Sequence, residues 1–91
     1  MLFILVDEEG EIRLEKLKKK LKTWDTGKKF MQEVSILTKI EIKEIEEYLK
    51  CENDEITISC HLSQKGDSFV LVKSINTDLI LEIDHLLSKF V

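Results

Sequence analysis

The sequence predicts a small α+β domain with a mostly antiparallel sheet and about three helices. Three observations carry this. Residues 55–63 alternate apolar and polar, Gln64-Lys65-Gly66-Asp67 favours a turn, and an apolar run follows, which together read as a β-hairpin. Asn76-Thr77-Asp78 offers good N-cap residues just before a broad apolar stripe at helical spacing. The chain has 91 residues, enough for one domain (1–91) with a thin core, and its 43% hydrophobic and 35% charged residues suit a folded protein rather than a disordered one.

Taken in order, Met1 to Val6 is an unbroken apolar run and reads as a strand buried on both faces. Asp7 to Gly10 reads as a turn. Leu14, Leu17, Leu21 and Trp24 fall on one stripe at ~100° per residue, which predicts a helix ended by Asp25-Thr26-Gly27. Ile12 falls off that stripe and fits a short hairpin strand better. Phe30 to Leu37 reads as a strand. Thr38 and Glu41 have capping-box spacing, with Leu37 and Ile42 at the positions of a hydrophobic staple. These cues predict a helix carrying Ile42, Ile45 and Leu49 and broken at Asn53-Asp54.

In the hairpin, Ile56, Ile58, Cys60 and Leu62 share one face, and Thr57, Ser59, His61 and Ser63 the other. The return strand, Ser68 to Lys73, is apolar on both faces: Phe69 and Leu71 point one way, Val70 and Val72 the other. The last helix gathers Leu79, Ile80, Ile83, Leu86, Leu87 and Phe90, leaving Leu81 and His85 on its polar side. The expected order is therefore β-α-β-α-β-β-α, without repeats, linkers or low-complexity stretches.

The chemistry-bearing residues form no catalytic constellation. Cys60 and His61 are adjacent in a strand and so face opposite ways, which keeps them from acting as a nucleophile–base pair. Two cysteines nine positions apart, with no C-x-x-C, make a poor zinc site. Glu41, Glu44, Glu46 and Glu47 read as a solvated helix face. Gly27-Lys28-Lys29 lacks the first glycine and the Ser/Thr of a P-loop. The expectation is no enzyme, no metal and no cofactor.

Charge is segregated. Arg13, Lys16, Lys18, Lys19, Lys20, Lys22, Lys28 and Lys29 stand against only Glu15 and Asp25, while residues 41–55 are strongly acidic. A Lys-rich helix over 13–29, with Trp24 beside it, would suit phosphate backbone and a stacked base. The plainer alternative is a solvated helix face with Trp24 in the core.

The first functional expectation is a protein–protein interaction module: an inhibitor, an antitoxin-like or immunity-like protein, or a phage-encoded effector. Its partner would be another protein or a second copy of the chain. Leu2, Ile4, Val70, Val72 and Leu81 are the candidate apolar interface, because strands apolar on both faces need two covering layers. Nucleic-acid or nucleoprotein binding through the Lys-rich helix is the second expectation. A surface of lysines with an exposed Trp24 would favour nucleic acid, and mixed charge with exposed aliphatics a protein partner. The longest apolar run, Met1 to Val6, is far short of the roughly 20 residues of a spanning helix. With no signal-peptide pattern at the N-terminus, the expected location is the cytoplasm, with Cys51 and Cys60 as free thiols. The Lys-, Glu-, Ile- and Leu-rich composition, with no Pro or Ala, suits an AT-rich genome such as that of a low-GC bacterium, its phage or an archaeon.

Overall fold

The computed structural model describes residues 2–6, 12–74 and 76–90, with the backbone alone for 2–6 and 12–19. Six strands form one antiparallel sheet: β1 (Leu2–Val6), β2 (Ile12–Leu21), β3 (Lys43–Ile45), β4 (Tyr48–Glu52), β5 (Ile56–Leu62) and β6 (Ser68–Ser74). Their order across the sheet is β1-β2-β6-β5-β4-β3. Two helices, α1 (Trp24–Thr38) and α2 (Thr77–Leu87), complete the α+β fold among the described residues, one fewer than the sequence suggests. Helix α1 carries the chain from β2 to the far edge, and the meander β3 to β6 returns strand by strand until β6 pairs with β2.

The hairpin and the last helix form as their local patterns dictate. Ile56, Ile58 and Cys60 of β5 are buried, with Val70 and Val72 of β6 beside them in register. The connecting turn closes with Ser63 N–H donating to Asp67 O at 3.0 Å, and Gly66 takes φ +89°, a conformation that favours glycine. Asn76 caps α2, its Oδ1 accepting from Leu79 N–H at 3.1 Å. Ile80, Ile83 and Leu87 are buried at helical spacing, and Leu81 is exposed.

Residues 13–52 differ from the sequence expectation, whereas Ile12 is a strand residue and Asn53 breaks the preceding element as expected. Ile12–Leu21 is a strand and not a helix. Leu14 pairs with Ile4 and Leu17 with Leu2, so two leucines three apart oppose partners only two apart. One extra residue in β2, a bulge, accounts for this, and it mimics helical spacing. The segment Asp25-Thr26-Gly27 begins α1 rather than ending a helix: Thr23 is the N-cap, its Oγ1 accepting from Thr26 N–H at 3.1 Å. Phe30 to Leu37 lies inside α1, where Gly27, Phe30, Met31 and Val34 are buried on one face.

Thr38 is the last residue of α1 rather than the cap of a new helix. Its hydroxyl donates to Val34 O at 2.8 Å, and Lys39 at φ 60° closes the helix by donating to Ser35 O at 2.9 Å. Residues 43–45 and 48–52 then pair as β3 and β4, so Glu41, Glu44, Glu46 and Glu47 crowd no helix. Asn53 turns the chain into β5, its Oδ1 accepting from the N–H groups of Glu55 and Ile56. The expected turn over 7–10 lies outside the described residues.

Both helices cover the same face of the sheet. Phe30, Met31 and Val34 of α1 and Ile80, Ile83 and Leu87 of α2 share one core with Leu21, Leu49, Cys51, Ile56, Ile58, Cys60, Val70 and Val72. Gly27 sets how closely α1 approaches. A Cβ there would lie 2.6 Å from Cys60 Sγ and 2.7 Å from Ser68 Oγ, so only glycine lets the helix sit this low on the sheet. The Ser68 hydroxyl uses that proximity to donate to Thr23 O at 3.2 Å.

Candidate functional site

The Lys-rich stretch is not one surface. Lys16, Lys18, Lys19 and Lys20 belong to β2, Lys22 is exposed in the turn after it, and Lys28 and Lys29 are exposed on α1. The Lys-rich helix over 13–29 therefore gives way to a strand, a turn and a helix. Trp24, the first residue of α1, is half-buried and packs against the core.

The candidate apolar interface divides as well. Val70 and Val72 have no exposed surface, because the covered face of β6 is the one they occupy, so they leave the interface. Leu81 is 50% exposed. Leu2 and Ile4 lie in the edge strand β1, and their side chains are outside the described residues.

Two surfaces have features that burial of the core does not explain. The first is a groove of about 300 Å³ between the helices, formed by Ile36 and Leu37 of α1 and Leu86 of α2 with Glu33, Glu82, His85 and Lys89 around them. Ile36 is 71% and Leu37 44% exposed. The α1 stripe that reaches the core ends at Val34, so these two side chains project outward from the last turn. Sequence periodicity points to Leu81 but hides Ile36 and Leu37, which become visible only once residues 30–37 are known to be helical.

The second surface is the sheet face away from the helices. Pairing places Lys20 opposite Phe69, Phe69 opposite His61, His61 opposite Tyr48 and Tyr48 opposite Ile45, a row crossing five strands. The Tyr48 and His61 rings stack, with centroids 4.8 Å apart and planes at 22°. In the next row Lys18, Leu71, Ser59, Lys50 and Lys43 stand in register. His61 Nε2 and Ser59 Oγ share a hydrogen bond at 2.9 Å. Partial burial pushes the His61 pKa down, since the charged imidazolium loses solvation.

Two carboxylates hold lysines on this side. Lys20 Nζ lies 2.5 Å from Asp67 Oδ2, and Lys50 Nζ 3.3 Å from Glu52 Oε1. The Lys20 ammonium and then the Ser63 hydroxyl, both hydrogen-bonded to Asp67, hold its pKa below the usual range. Glu52 is lowered first by the Thr57 hydroxyl, which donates at 2.9 Å, and then by Lys50. Beside Phe69 lies a hollow of about 400 Å³ rimmed by Lys20, Ser63, Gln64, Lys65 and Asp67.

Cys60 and His61 do face opposite sides of the sheet. Cys51 and Cys60 are unpaired and buried, and burial pushes both thiols up. Among the described residues, no three His, Cys, Asp or Glu side chains come close enough to hold a metal ion, and no helix is long and apolar enough to cross a membrane. No protein-family model, no curated protein and no solved structure matches the chain.

Proposed function

We propose that this chain is a protein–protein interaction module that receives an apolar ridge of a partner protein in the groove between α1 and α2. The observation that carries the reading is the exposure of Ile36 and Leu37 beside Leu86. A folded chain gains ~25 cal/mol for each Å² of apolar surface removed from water, so large aliphatics left around a groove favour an occupant. An amphipathic helix presenting apolar residues at i, i+3 and i+4 matches a groove between two helices. The mixed rim, with Glu33 and Glu82 acidic and His85 and Lys89 basic, gives such a helix a preferred direction. Exposed aliphatics with mixed charge, together with a half-buried Trp24, favour a protein partner over nucleic acid at this surface.

Binding to block or neutralise a partner, as an inhibitor, antitoxin-like or immunity-like protein does, requires no catalytic group. The reading carries a cytoplasmic location with it, where a reducing medium keeps Cys51 and Cys60 as thiols.

The test is affinity capture from the native host, comparing the unaltered chain with Ile36→Glu and with Lys22→Glu. A partner retained by the unaltered chain and by Lys22→Glu but lost with Ile36→Glu supports the groove. Equal capture by all three rejects it. Light scattering of the purified chain at micromolar concentration distinguishes a second copy from a different partner.

A further inference from the structure

The open face of the sheet combines features that the groove does not share. Three rings, Tyr48, His61 and Phe69, stand side by side on β4, β5 and β6, spanning two interstrand spacings, or ~10 Å. The rows around them hold Lys20, Lys43, Lys50 and Lys73; Lys20 pairs with Asp67 and Lys50 with Glu52, which leaves Lys43 and Lys73 in excess. This face is thus locally basic in a chain whose formal net charge is −4. Among the described residues helices cover only one side of the sheet, and the three rings lie half-buried on the other.

We infer that this face binds single-stranded nucleic acid. Bases have apolar π-faces that stack on aromatic side chains, and the phosphates between them pair with lysines. Tyr48 and His61 stack on each other and so offer a base their outer faces and edges, Phe69 adds a third ring, and Lys20 ends the aromatic row. The hollow beside Phe69 offers one base a recess with Gln64 and Lys65 at its edge, beside the Lys20–Asp67 ion pair. A duplex keeps its base faces internal and cannot use the rings. A second copy packed face to face would set lysine rows against lysine rows, a like-charge contact. An acidic polypeptide would use the lysines but leave the rings without a role.

Fluorescence anisotropy with labelled oligo(dT) and oligo(U) of about ten nucleotides, at low salt, tests this on the full chain. Binding of either strand is expected, weakening steeply as salt rises because phosphate contacts release counterions. A duplex of equal length and polyglutamate should bind at least about tenfold more weakly. Tyr48→Ala should lose about tenfold in affinity. Lys73→Glu, on an exposed position of β6, should weaken binding, whereas Lys28→Glu, the same charge change on α1, should not. No anisotropy change, equal binding of duplex or polyglutamate, or equal effects of the two lysine variants would overturn the inference. The lysine pair keeps the test decisive if Tyr48→Ala fails to fold.

Discussion

The Tyr48 ring lies flat against the His61 imidazole, 4.8 Å between centroids, and this neighbour in β4 helps to cover the histidine. Covering disfavours the imidazolium, so the folded-state pKa of His61 lies below its ordinary value. As pH falls, the unfolded chain takes up this proton first. The contribution to stability is complete above an unfolded pKa of about 6.5 and is lost as pH falls through the folded-state pKa. Thermal unfolding followed from about pH 7.5 to about pH 5 should show this decline. His61→Phe, which keeps a ring against Tyr48, should flatten it. Glu52 and Asp67, held low by their partners, lose their contributions only as pH falls through and below the ordinary carboxylate range, so the two effects separate.

Gly27→Ala should destabilise the fold by about 1–3 kcal/mol, because the added methyl must displace Cys60 Sγ or Ser68 Oγ. Urea titration measures this. Gly27→Ala combined with Cys60→Ala should cost less than the sum of the two single changes, since removing the sulfur clears the nearest obstruction. Strict additivity would show that α1 does not sit against Cys60.

The two threonines at the ends of α1 should behave differently. Thr23→Ala removes an N-cap and should cost about 1 kcal/mol. Thr38→Ala removes a hydroxyl that donates back to Val34 O and accepts a long bond, 3.3 Å, from Ile40 N–H, and should cost about 0.5 kcal/mol, less than Thr23→Ala. Equilibrium unfolding of the pair decides whether Thr38 ends one helix or starts another.

Ile58→Ala should cost about 2–5 kcal/mol by opening a cavity between β5 and the helices. Ile45→Ala, at the exposed edge strand, should stay within about 0.5 kcal/mol of the unaltered protein. Similar midpoints for the two in urea would mean that the core lies elsewhere.

Cys51 and Cys60 should resist alkylation in the native protein, since both are buried and both pKa values are raised. Mass spectrometry after a timed iodoacetamide pulse should find them unmodified without denaturant and fully modified with it. Rapid native labelling of Cys60 would place it off the helix-covered face.

Local pattern alone determined the β5–β6 hairpin, with its two faces, and the N-cap, stripe and exposed Leu81 of α2. In each, the deciding residues lie within one turn or one strand pair of one another, so short-range geometry and side-chain period are enough. It also separated Cys60 from His61. Tertiary structure decided residues 13–52. Lys and Glu suit a helix in isolation, yet β2 is a strand because β6, distant in sequence, supplies its hydrogen bonds, and β3 and β4 are strands because they pair across the Glu46-Glu47 turn and β4 pairs with β5. The offset that lets Leu14 and Leu17 oppose Ile4 and Leu2 exists only once β1 lies alongside, and a Thr-x-x-Glu spacing starts nothing when Lys39 has already closed α1. Both candidate surfaces depend on those long-range choices. The groove needs Ile36 and Leu37 on a helix beside Leu86, and the aromatic row needs Tyr48 on a strand paired with His61, since a side chain's neighbours across a sheet are set by register rather than by sequence.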